Sequence, residues 1–212
     1  MLSWGKPRVD KDYYLWLAFE WRNLFLACGH CANSKGDQFP VEGERASYLA
    51  SFDDVSEQER GLLVDPTAEE PGRHIRFLYD GDALPLSLQG RETIDIFDLN
   101  RKELTSARAG LAAELLEALQ SDDSRNTADQ LRRLLTVFAP HSGALYNILK
   151  RIPSGWRSNE VPITGSGETF FRNFIQAISQ ADSVQRSRLR SAVQEAMETM
   201  AAQGNRFATL FL

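Results

Sequence analysis

Apolar residues recur every three or four positions through the second half of the chain, which predicts helices from Leu99 onward. In residues 103–120, for example, Leu104, Leu111 and Leu115 fall on one helical face. The same spacing predicts further helices, with a loop over residues 153–167 before the last two. These helices cover residues 127–138, 142–151, 168–181 and 183–203.

The first half of the chain has a mixed pattern. An aromatic-rich segment, residues 12–26, predicts a short helix that runs into a turn, and residues 28–40 and 51–60 are predicted to be loops. Short apolar runs closed by turn residues predict strands, with Asp80-Gly81 as the turn of a hairpin. These strands cover residues 61–65, 75–79 and 83–88. The predicted fold is α+β and mostly α, with one region over residues 1–100 and a helical region over residues 101–212.

The composition is that of a globular chain with few reactive side chains. It has 212 residues, of which 42% are hydrophobic and 25% charged, with two cysteines, three histidines and a net charge of −5. The length suits one domain, or one small domain with an appendage. Two cysteines exclude a secreted disulfide scaffold. An apolar stretch at residues 13–28 is too short and too charged to span a bilayer. We therefore expect a cytoplasmic protein with no membrane contact.

The charge is distributed unevenly. Residues 1–124 carry 13 Lys and Arg against 23 Asp and Glu, whereas residues 125–212 carry 11 against 6. Arginine is suited to bidentate phosphate contacts, so Arg186 and Arg190 are candidate nucleic-acid-binding residues. The alternative is that these arginines lie on solvated helix faces or meet an acidic partner.

Cys28 and Cys31 form a C-x₂-C knuckle, a spacing that can hold one Zn²⁺. A structural zinc site needs four ligands, and the remaining candidates in this chain are His30, His74 and His141. The alternative is a pair of reduced, partly buried cysteines.

Several blocks, taken in order, resemble one family. Trp21-Arg22-Asn23-Leu24, then Cys28-x₂-Cys31, then residues 35–40 (KGDQFP) are similar to HNH endonucleases of the retron-associated and Septu anti-phage type. Later blocks, including Pro71-x₂-His74 and residues 99–108, also match, so the resemblance covers about residues 4–108. It implies a ββα-metal (HNH-like) fold in the N-terminal region, in degenerate form, followed by the helical body.

The resemblance also implies roles for individual residues. Asn23 would be the central asparagine that orients a catalytic histidine, Cys28 and Cys31 half of a zinc knuckle, and Lys35 the basic residue of the K-G block. Asn33 and His74 are further catalytic candidates. His74 has an alternative role as a structural hydrogen-bonding residue. A divalent metal, Mg²⁺ or Mn²⁺, would stabilise the phosphate.

Two departures from the family pattern bear on activity. Residues 2–7 (LSWGKP) hold no histidine where the family carries its general base. Ala32 follows Cys31 where the family has a polar residue, so Asn33 comes one place late. Since a missing general base removes 10²–10⁴-fold in rate, we expect a slow or inactive nuclease.

Two functions therefore remain open. One is an HNH-nuclease-like subunit of an anti-phage defence complex, a hetero-oligomer that acts on or binds DNA beside an ATPase subunit. The other is a non-catalytic helical adaptor that assembles such a complex through protein contacts.

Overall fold

A computed structural model describes residues 14–121, 124–136, 139–150 and 167–210 of the chain. The histidine-free block at residues 2–7 lies outside these residues, as does nearly all of the loop predicted over residues 153–167. No described helix is both long enough and apolar enough to cross a membrane.

The described elements are mostly helices, with two small sheets. The strands are β1 (Val41–Glu42), β2 (Arg60–Gly61), β3 (Ile75–Phe77) and β4 (Ala83–Pro85). The helices are α1 (Gly29–Lys35), α2 (Phe52–Gln58), α3 (Leu88–Ile96), α4 (Lys102–Gln120), α5 (Ser124–Leu134), α6 (Ser142–Leu149), α7 (Gly167–Gln180) and α8 (Ser183–Leu210). Strand β1 pairs antiparallel with β2, with Val41 opposite Gly61, and β3 pairs with β4. The predicted α+β, mostly α class is confirmed.

The chain divides into two compact units. Unit 1 comprises Met1–Ile75 and Pro85–Leu99, and unit 2 comprises Arg76–Leu84 and Asn100–Leu212. Unit 1 therefore holds the cysteine knuckle and α1–α3, and unit 2 holds the five later helices.

Unit 2 is a helical bundle around one apolar core. Helix α5 packs on α4 and α7, while α8 packs on α4 and α6. The side chains that face inward are those of the apolar spacing seen in the sequence, because burying one helical face is what makes such helices stable. The core is formed chiefly by Leu115, Leu131, Leu145, Ile148, Phe174, Ile178, Leu189 and Val193.

Two polar side chains anchor the Asp80-Gly81 turn of unit 2. The Asn100 amide pairs with both backbone groups of Ala83, accepting from its N–H at 2.6 Å and donating to its carbonyl at 2.9 Å. Buried Arg108 donates from Nη1 to the Gly81 carbonyl at 2.6 Å. Arg101 is the N-cap residue of α4 and makes no side-chain capping bond, while the side chain of Asn100 is engaged by Ala83.

The local structure of unit 1 differs from the sequence prediction in several places. Of the strand predicted over residues 61–65, only Gly61 lies in a strand, β2. The aromatic segment forms two 3₁₀ turns, Leu15–Leu17 and Trp21–Asn23, instead of one helix. Within the predicted loops lie α1 and α2, the latter starting with a capping box between Ser51 and Asp54. Helix α3 was not predicted. The two-strand sheets do not by themselves establish a ββα-metal fold, which stays a prediction.

A buried polar cluster holds Tyr14, the first residue that the structure describes. Glu59 is 8% exposed, and its carboxylate accepts from the Tyr14 hydroxyl and, at 2.8 Å, from the Ala46 N–H. Arg45 donates to the same hydroxyl and to the Phe39 carbonyl. Burial, together with the hydrogen bond to Glu59, raises the pKa of Tyr14, so its hydroxyl stays protonated.

Candidate functional site

The cysteine knuckle starts helix α1. Cys28 is the N-cap residue, and its Sγ accepts the backbone N–H of Cys31 at 3.4 Å. Both cysteines are reduced thiols, Cys28 exposed and Cys31 half-buried.

The knuckle has two of the four ligands that a structural zinc site would need. A structural zinc ion takes four ligands, whereas Cys28 and Cys31 are two. Across the described part of the chain, no group of three or more His, Cys, Asp or Glu is placed to hold a metal ion. The described residues therefore do not fit a complete metal site.

Two further predicted residues lie on the same helix. Asn33 is exposed, and its side chain makes no hydrogen bond to any described residue. Lys35 is the last residue of α1 and is half-buried. Burial lowers the pKa of Lys35, because it disfavours the charged ammonium, while the nearby Asp37 carboxylate opposes that shift. The sequence order C-x₂-C-x-N-x-K thus becomes one short helix that presents an amide and an amine.

Asn23 ends the second 3₁₀ turn. Its side-chain Nδ2 donates to the Leu17 carbonyl at 3.3 Å, which ties the two turns together. Within the described residues, the polar contacts of Asn23, Asn33 and His74 do not join any of these three residues to another. The geometry gives Asn23 a local structural contact.

His74 is held through both ring nitrogens. Its Nε2 lies 2.8 Å from Oε2 of Glu69, and its Nδ1 lies 2.7 Å from Oγ of Ser87. Ser87 is the N-cap residue of α3 and accepts the Gly90 N–H at 3.0 Å. The imidazole is 13% exposed. His74 therefore links the segment after Asp65 to the start of α3, as its structural alternative predicts.

We expect His74→Ala to lower the free energy of unfolding by about 2 kcal/mol, because it removes two largely buried hydrogen bonds at once. Thermal unfolding followed by circular dichroism measures the change. His30→Ala is the matched control, since His30 and its partner Asp98, 3.3 Å away, are both about half exposed. Equal stability of His74→Ala and the wild type would contradict the structural link.

The predicted nucleic-acid contacts lie on α8 of unit 2. Arg186 and Arg190 are four residues apart, so they share one face of the helix, and both are half-buried. Neither arginine belongs to the unit that carries α1 and its cysteine knuckle.

Unit 1 is strongly acidic over its described residues. Residues 14–75 and 85–99 contain fourteen Asp and Glu against six Lys and Arg. Such a charge repels the phosphate backbone of DNA, whose binding depends on Lys and Arg. Any phosphate contact by unit 1 would therefore be local, at single basic or amide side chains such as Lys35 and Asn33.

Comparison with known proteins finds two that are similar to this chain. The chain is 33% identical over 124 residues to the Septu protein PtuB of Bacillus mycoides (strain KBAB4). This alignment covers 57% of this chain and 41% of PtuB. The chain is 35% identical over 103 residues to the Septu protein PtuA of the same strain, covering 49% of this chain and 14% of PtuA. The chain resembles the Septu proteins. It spans less than half the length of each of these two relatives.

The two matches share part of this chain, because their covered fractions together exceed its whole length. One segment is therefore similar to both a PtuA and a PtuB. No family model matches the chain, and no solved structure matches it.

Proposed function

We propose that this chain is an HNH-nuclease-like component of a Septu-type anti-phage defence complex, acting on or binding DNA. The observation that carries the proposal is the similarity to two different Septu proteins, PtuB and PtuA. Each match extends over about half of this chain, so it supports the proposal more strongly than a single short motif does.

Helix α1 supports the nucleic-acid part of this proposal. It carries the knuckle, the exposed Asn33 amide and Lys35 within seven residues and their N-cap. An amide N–H and a lysine ammonium both suit a phosphate oxygen. We assign Asn33 and Lys35 to phosphate contact, and Asn23 to positioning the turn that precedes α1.

The two relatives support a complex of more than one kind of subunit. PtuA and PtuB carry different names within one strain, which suits a defence system built from two kinds of subunit. We propose that this chain works in a cytoplasmic hetero-oligomer with an ATPase subunit.

A second candidate is a non-catalytic adaptor that assembles the same complex. The contacts of His74 favour this candidate. Because Glu69 and Ser87 contact its two ring nitrogens, neither nitrogen can bind a water or a phosphate unless one of these partners moves. The net acidity of unit 1 points the same way, since it opposes extended DNA contact.

The two candidates differ in a plasmid assay with Mg²⁺ or Mn²⁺, run on the chain with and without the Septu protein encoded beside it. If the chain is a nuclease, we expect metal-dependent cutting that falls about 100-fold in Asn23→Ala, because a small misplacement of reacting groups costs that much. Gel electrophoresis of the plasmid measures the rate.

Asn126→Ala, at an exposed asparagine on α5, is the control and should cut like the wild type. Cutting that Asn23→Ala leaves unchanged would overturn the assignment of Asn23. A chain that assembles with its partner but never cuts would overturn the nuclease proposal and leave the adaptor.

A further inference from the structure

Unit 1 exposes a run of large apolar side chains just before α1. We call this surface the apolar ridge, and it consists of Leu15, Phe19, Trp21, Leu24, Phe25 and Leu26. Phe19 is 96% exposed, Trp21 77%, and Leu26 fully exposed. Single exposed apolar residues are ordinary, but six within twelve positions mark a surface for protein–protein contact. Aromatic side chains like Phe19 and Trp21 contribute most of the binding energy at such surfaces.

The ridge is held in place from beneath. Between its exposed members, Leu17 is buried, and the Trp16 indole N–H donates to the Ala50 carbonyl at 2.8 Å. Arg22 is 2.7 Å from Asp53 on α2 and lies over the Phe52 ring. Trp16, Leu17 and Arg22 thus anchor the segment, while the ridge side chains face outward. A surface fixed in this way loses little conformational freedom on binding.

A strained turn extends the same surface. Leu49 has a φ of 64°, the left-handed region that leucine rarely adopts, and it is 62% exposed. Its neighbour Tyr48 is also exposed and packs edge-on against Trp16, with ring centroids 5.0 Å apart. Strain of this kind is concentrated at functional sites. Here it displays an apolar side chain beside the anchor of the ridge.

The negative charge of unit 1 indicates which kind of molecule can bind the apolar ridge. With fourteen acidic and six basic residues over its described part, unit 1 repels DNA and anionic lipid. A second copy that docked ridge to ridge would bring two acidic units together, which charge repulsion opposes. A protein whose apolar patch is rimmed by Lys and Arg complements both the ridge and its surroundings.

We propose that the apolar ridge of unit 1 is a docking surface for a different protein that presents an apolar patch rimmed by Lys and Arg. The surface requires no nuclease chemistry, so it is compatible with either candidate function. The proposal rests on the Septu-type function only in the choice of the protein used to test it.

The test compares Phe19→Ser and Trp21→Ser with the control Val184→Ser, in the full chain. Val184 is an exposed apolar residue of α8 in unit 2, 58% exposed. The probe is the Septu protein encoded beside this chain, and biolayer interferometry at low and high salt measures its affinity. We expect at least a tenfold loss of affinity for both ridge variants, wild-type affinity for Val184→Ser, and weaker wild-type binding as salt increases.

Other outcomes overturn the proposal. These are equal affinity of all variants, no binding of the probe by the wild type, or a wild-type dimer in sedimentation velocity that the ridge substitutions dissociate. DNA binding lost in Phe19→Ser would also overturn it.

Because these side chains are exposed, both variants should keep the wild-type melting temperature, which separates lost docking from lost folding. Failure of the Septu-type function shows separately, as absent phage protection by the wild type.

Discussion

Replacing Gly90 with alanine is expected to destabilise unit 1 by about 3 kcal/mol, because there is no room for a side chain at this point of α3. A Cβ atom at Gly90 would lie 1.9 Å from the His74 carbonyl oxygen. The His74 carbonyl is held in position, because it accepts a hydrogen bond from the Leu86 N–H at 2.8 Å. Either α3 moves away from the backbone of His74 or the hydrogen bond breaks. Urea unfolding measures the loss as a lower midpoint.

Gly110→Ala is the matched control for this prediction. Gly110 is also helical, on α4, but a Cβ atom there would meet nothing within 4 Å. Alanine is favoured over glycine in a helix by up to about 1 kcal/mol, so this variant should be slightly more stable than the wild type. A Gly90→Ala variant as stable as Gly110→Ala would contradict the close approach of α3 to His74.

Removing the Glu59 carboxylate is expected to cost about as much, roughly 3 kcal/mol for Glu59→Ala. The carboxylate holds the Tyr14 hydroxyl and the Ala46 N–H, and both would lose a buried acceptor. Arg45 would lose part of the cluster that fixes it, since it donates to the same hydroxyl. Differential scanning calorimetry of the variant measures the loss.

The neighbouring Glu57, on α2 and exposed, provides the comparison. Glu57→Ala should change stability by no more than about 0.5 kcal/mol, as is usual for surface positions. Equal losses of stability in the two variants would contradict the role of Glu59 in holding Tyr14 and Ala46. The same cluster anchors the residue just before the apolar ridge, so Glu59→Ala should also loosen that surface.

Sequence patterns predicted unit 2 well and unit 1 poorly, for a physical reason. Long helices such as α4 and α7 bury one face, and this repeats an apolar spacing over many residues. Helix α2 has seven residues and none of them is buried, so apart from its capping box at Ser51 it has no apolar spacing that predicts a helix. The two 3₁₀ turns follow from contacts such as that of Trp16 with Ala50, 34 residues away, which no local pattern carries.

The sequence also predicted only part of the candidate site. The knuckle spacing of Cys28 and Cys31 was visible in the sequence, and the structure places both at the start of one helix. The contacts of His74 were not visible, because Ser87 is thirteen residues away and Glu69 is an unremarkable acidic residue in a charged stretch. Exposure is also invisible to the sequence pattern, in which Leu17 and Trp21 have the same helical spacing although Leu17 is buried and Trp21 is exposed.

The most direct test of the Septu-type function is a phage-plating assay. A bacterial host expresses this chain with the Septu protein encoded beside it, and phage plaques are counted against hosts with either protein alone. We predict that plating efficiency falls at least tenfold only when both proteins are present. Equal plating on all hosts across a panel of phages would contradict a role in anti-phage defence.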